Sequence, residues 1–76
     1  MTLADPLNIR ESILDNLRHN PDGITVTQLV TLVERDTGAA VDPILRMYDH
    51  LERTGEIYSV PAGRRTTAKL TMPLRL

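Results

Sequence analysis

The sequence predicts a small α+β domain: three short helices, one minimal strand and a C-terminal β-hairpin within residues 1–76. Three observations carry that expectation. Apolar residues recur at helical spacing in three separate stretches; each stretch runs into a Gly, Pro, Asn or Asp breaker; and apolar–polar alternation sets in only after Gly55. At 76 residues the chain is read as one domain, near the lower size at which a single apolar core holds a fold without staples.

Helix one is expected over about residues 6–19. Asp5 supplies an N-cap acceptor, Pro6 sits where a missing N–H costs nothing, and Ile9, Ile13, Leu14 and Leu17 form one apolar stripe. Asn20-Pro21-Asp22-Gly23 stops it. Ile24 to Val26 is β-branched and short, enough for a minimal strand over 24–26. Thr25-x-x-Gln28 reads as a capping box opening helix two, about 26–35, whose buried side is Leu29, Leu32 and Val33. Asp42-Pro43 repeats the cap-then-proline signal and opens helix three, about 43–54, with Ile44, Met47, Tyr48 and Leu51 turned to the core and Gly55 ending it. Two helices joined by a short Gly-containing turn form a helix-turn-helix.

A hairpin over about residues 56–71 follows. A three-residue loop would put Ile57 and Leu70 on opposite faces and leave one in water. A four-residue loop, Pro61 to Arg64, pairs Ile57 with Ala68 and Glu56 with Lys69. Ile57, Ser59, Thr66, Ala68 and Leu70 then share the inner face. Tyr58, Val60, Arg65, Thr67 and Lys69 share the outer face, and Arg64 stands at the tip.

Charge divides sharply along the chain. All ten carboxylates lie between Asp5 and Glu56, opposed there by five arginines, for a net −5. The last twenty residues carry Arg64, Arg65, Lys69 and Arg75 and no acid, for +4. A partner meeting the basic end explains the split; a solvated charged face is the plain alternative. With no cysteine, disulfides and zinc–thiolate chemistry are excluded. No apolar run reaches the roughly 18 residues of a membrane helix, nor do the first residues have a signal-peptide layout, so a cytoplasmic protein without a membrane role is expected.

The order helix, strand, helix, turn, helix, hairpin resembles the winged helix-turn-helix superfamily along nearly the whole chain. The most specific stretch is TGAAVDPILRMYDHLERTGEIYSVPAGRR, residues 37–65, with Leu51, Gly55 and Ile57 in a Leu-x-x-x-Gly-x-Ile pattern and Arg64 and Arg65 on the wing. The resemblance implies a small transcriptional regulator that binds double-stranded DNA, with helix three in the major groove and the wing against the backbone or in the minor groove. It carries the DNA contacts onto Arg46, His50 and Arg53 of helix three and Tyr58, Arg64, Arg65, Thr67 and Lys69 of the wing. Arg46 and His50 are the base-edge readers on offer. Residues 42–56 carry a net −2, which departs from the usual cationic recognition helix and weakens the case for sequence readout. Four wing and tail cations on four phosphates would make affinity fall roughly a hundredfold between about 50 and 200 mM salt.

Met72, Leu74 and Leu76 alternate with polar residues or proline beyond the hairpin. This tail, with helix one or Leu3, either packs on a second subunit to make a homodimer or folds back over its own helix one. Ser12 and Ser59 have no histidine nearby in this layout, and His19 and His50 lack metal-ligand spacing. No phosphate-binding glycine loop is present, so neither catalysis nor a cofactor or metal is expected. The rival reading is a winged-helix protein-interaction module docking a partner through helix three or the tail, supported by the acidic helix and by Leu45 on its outer side.

Overall fold

A computed structural model describes residues 5–71, the Ala62 side chain apart. The elements are α1 (Pro6–Arg18), β1 (Ile24–Thr25), α2 (Val26–Thr37), α3 (Val41–Arg53), β2 (Ile57–Ala62) and β3 (Arg65–Leu70). Three helices back a three-stranded antiparallel sheet of order β1-β3-β2, an α+β layout of winged-helix type. Met72, Leu74, Leu76, Arg75 and Leu3, which entered the tail and dimer expectations, lie outside the described residues.

The α1 start follows its sequence signal: Asp5 Oδ1 accepts from the Leu7 N–H at 2.8 Å. Thr25 Oγ1 accepts from the Gln28 N–H at 3.2 Å, the first half of the expected capping box. Helix three departs from expectation. It begins at Val41, and its N-cap is Ala40, which makes no side-chain bond. Asp42 and Pro43 therefore sit inside the first turn, where an acid suits the helix dipole and a proline still removes only an N–H with no partner in the helix. The α2–α3 turn is instead held by Thr37. Its hydroxyl donates to the Val33 carbonyl at 2.8 Å and accepts from the Ala39 N–H at 3.1 Å, which also carries α2 two residues beyond the expected end.

The core gathers Ile9, Ile13, Leu14 and Leu17 of α1, Leu29, Val30 and Val33 of α2, and Ile44, Tyr48 and Leu51 of α3 over Ile24, Ile57 and Ala68 of the sheet. Each large side chain so buried contributes about 1.5–3 kcal/mol relative to exposure. Leu32 and Met47, both expected inside, are only partly buried, and Val30 takes the place beside Leu29.

The hairpin register is a second correction. Ile57 pairs with Leu70, Tyr58 with Lys69, Ser59 with Ala68, Val60 with Thr67, Pro61 with Thr66 and Ala62 with Arg65. The loop is therefore two residues, Gly63-Arg64, with Gly63 at φ +66 and no positive φ at Arg64, the pattern of a type II′ turn. Proline at 61 does not break pairing because β2 is an edge strand. The expected register differs from the observed one by two residues, and side chains alternate with a period of two. Every residue accordingly stays on the face assigned to it.

Candidate nucleic-acid interface

The outer sheet face is built in rows across the strands: Tyr58 beside Lys69, Val60 beside Thr67, Ala62 beside Arg65. β1 adds Thr25 beside Thr67. The inner face is fastened by Ile57, 1% exposed, and Ala68, 0%, with Leu70 partly buried. Arg65 and Lys69 thus share one face, with Arg64 next to them in the turn. Arg64 and Arg65 are exposed, whereas Thr67 and Lys69 are half-buried. The reason lies beneath them at Gly23, whose φ is +94. A β-carbon there would stand 2.5 Å from Thr67 Cγ2 and 2.9 Å from Lys69 Cγ. The Lys69 stem therefore lies along the backbone of the α1–β1 turn.

Among the described residues the wing cations Arg64, Arg65 and Lys69 have no acidic partner. Among the described residues the ion pairs are Arg10 with Glu11 and Glu56, Arg18 with Asp15, and Arg53 with Asp49. Arg64, Arg65 and Lys69 are in none of them. The wing tip also walls a cleft of about 580 Å³ whose other side is the first turn of α2, with Thr25, Val26, Thr27 and Gln28 facing Arg64, Arg65 and Thr66. The first N–H groups of a helix lack intrahelical acceptors and carry the positive end of its dipole. The cleft therefore sums guanidinium charge, dipole and hydroxyls.

Helix three offers less positive charge. Arg46, His50 and Arg53 are exposed as expected. The Arg53 Nε, however, forms an ion pair with Asp49 Oδ2 at 3.0 Å, one turn back on the same helix. Glu52 is held at the junction with the wing: Ser59 Oγ donates to Glu52 Oε2 at 2.6 Å. An ionised carboxylate only accepts, so the Tyr48 hydroxyl, 2.5 Å from Ser59 Oγ, is the donor in that contact. Burial pushes the Tyr48 phenol pKa up, and the Glu52 charge adds to the shift. This chain of three side chains ties α3 to β2. His50 and Arg46 border a different feature, a groove of about 250 Å³ between α1 and α3 that is completed by Pro6, Ile9, Pro43 and Met47.

The structure brings Arg64, Arg65, Thr67, Lys69 and Tyr58 together and sets Arg46, His50 and Arg53 on a separate element. Sequence reasoning missed the α2 first turn as a wall of the wing cleft. Thr25-x-x-Gln28 was legible as a helix start, but which strand it approaches depends on β1 pairing with β3. The α1–α3 groove left no local signal either, because its two prolines read only as helix starts. The described residues contain no group of histidines and carboxylates arranged to hold a metal, and none of their helices is long and apolar enough to cross a membrane. Comparison with protein-family models, with curated proteins and with solved structures returns no match, so the functional reading rests on this geometry.

Proposed function

We propose that this protein is a small duplex-DNA-binding regulator that meets its ligand with the wing first, and that it acts in the cytoplasm. One observation carries the reading: Arg64, Arg65 and Lys69 lie on one projecting hairpin, paired with no carboxylate among the described residues, beside the cleft at the start of α2. A phosphodiester backbone is the polyanion that rewards such a row. Arg64 and Arg65 bind phosphate oxygens, Lys69 adds charge, and Tyr58 packs against sugar. Base readout falls to Arg46 and His50 and is weak, because Asp42, Asp49 and Glu52 share their helix.

Titration of labelled mixed-sequence duplex at two salt concentrations tests this. Three phosphate contacts predict that affinity falls about fortyfold between roughly 50 and 200 mM salt, with amide shifts concentrated in residues 58–69. No amide shift at low salt would defeat the reading. A protein-docking role for helix three is the second reading, favoured by the largely apolar groove beside it.

A further inference from the structure

We infer that the outer edge of β2 is a self-association site, where the same edge of a second copy of this chain pairs antiparallel across a two-fold axis at Ser59. The hairpin ladder determines which groups that edge offers. Along an antiparallel pair, residues that exchange both backbone hydrogen bonds alternate with residues that exchange none. A two-residue loop makes its flanking pair, Ala62 with Arg65, a bonded one. Val60 with Thr67 and Tyr58 with Lys69 follow at the same two-residue step, and the Thr71 N–H, which donates to the Glu56 carbonyl at 3.0 Å, falls on that step too. Ile57, Ser59 and Pro61 therefore aim their backbone groups away from β3. That side is the sheet edge in the order β1-β3-β2, and no other backbone bond among the described residues reaches these three.

The pattern selects a second copy as the occupant, because about Ser59 the edge is complementary to itself. The Ser59 N–H and carbonyl of each copy bond those of the other, and each Ile57 N–H donates to the Pro61 carbonyl opposite. Proline thus removes only one bond from each flanking pair. On the outer face Tyr58, 45% exposed, stands opposite Val60 of the second copy, an aromatic–β-branched pair of the kind that stabilises adjacent strands. The strand Ile57–Ala62 carries no charge, so nothing within it repels its copy, whereas solitary edge strands are commonly guarded by charged side chains. The Ser59 side chain is taken up by Tyr48 and Glu52, which leaves its backbone groups for the partner. A two-fold axis perpendicular to the sheet keeps both outer faces on one side, so Arg65 and Lys69 of the two copies share a surface. The association itself does not rest on the DNA reading.

Sedimentation equilibrium and amide hydrogen exchange of the full chain, without nucleic acid and over a wide concentration range, test it. The mass is expected to rise from 8.5 kDa toward twice that value. The Ser59 and Ile57 amides slow by about tenfold or more between dilute and concentrated samples, while Tyr58 and Val60, already bonded to β3, are protected at every concentration. Val60→Glu sets a carboxylate against the Tyr58 ring opposite and weakens association by about fivefold or more. A constant 8.5 kDa overturns the inference. So does a dimer whose Ser59 amide exchanges equally fast at all concentrations, or one that Val60→Glu leaves unchanged. If that variant fails to fold, amide exchange in the parent chain decides alone. Loss of duplex binding with intact association would fail only the DNA reading.

Discussion

The wing and helix three are the two elements that could meet a nucleic acid, and they treat charge in opposite ways. On helix three, residues of opposite sign fall one turn apart, so Arg53 closes on Asp49, and Arg46 is the arginine of the element that is in no ion pair among the described residues. On the wing the cross-strand neighbours of Lys69 and Arg65 are Tyr58 and Ala62, which have no charge to offer. Among the described residues Lys69 and Arg65 stay unpaired, because the residues directly across the strands from them are uncharged. The number of cations an element carries matters less than whether its own geometry supplies them with partners.

Five experiments would break or sharpen that contrast. The largest effect is expected from charge reversal at the wing tip. Arg64→Glu with Arg65→Glu lowers duplex affinity more than about a hundredfold near 50 mM salt and flattens the slope of log K against log salt from about −2.7 toward −0.9. Fluorescence anisotropy reads both quantities, and an unchanged slope would move the ligand off the wing.

Next comes the seat of the wing. Gly23→Ala forces a side chain onto φ +94 and into Thr67 and the Ala68 carbonyl, the latter only 3.0 Å from the new carbon. A loss of about 2–3 kcal/mol is expected, which lowers Tm by roughly 10–20 °C in a domain of this size. Melts that match the parent would show that β3 does not press on the turn.

The tie between the two regions is smaller. Ser59→Ala leaves the Tyr48 hydroxyl and the Glu52 carboxylate without their shared partner and costs about 1 kcal/mol in chemical denaturation, recovered by Ser59→Thr. Burial raises the Tyr48 pKa in the folded state, so the stability linked to the neutral phenol is complete below the unfolded value of about 10 and is lost as pH rises through the folded one. Tyr48→Phe should flatten the corresponding fall in Tm; an identical alkaline profile would remove Tyr48 as its source.

Least affected should be DNA binding by Arg46→Ala, which changes affinity by less than about threefold if the wing leads. A loss as large as that of the wing variants would put helix three in the major groove and erase the contrast.

Much of the scaffold was legible because its signals are local. Ile9, Ile13, Leu14 and Leu17 are all buried, and Asp5 caps α1 as its position suggested. The expected four-residue loop counts Pro61 as a turn residue, whereas Pro61 pairs with Thr66 in the edge strand and Gly63-Arg64 alone makes the turn. The hairpin faces survived the error through the alternation of a strand. Asp42 misled for a related reason: a cap-like pair is a local preference, and Thr37 bonding back to Val33 and forward to Ala39 set the turn instead.

Periodicity and punctuation, which act over a few residues, were enough to establish the helices, the hairpin and the side of it that faces water. Three matters were settled by residues distant in the chain. These are the closing of Arg64 and Arg65 over the first turn of α2, the withdrawal of the Lys69 stem over Gly23, and the groove that Pro6 shares with Pro43. Each depends on how independent elements pack against one another, and that packing follows from burying a common core whose pairings no short stretch of sequence encodes.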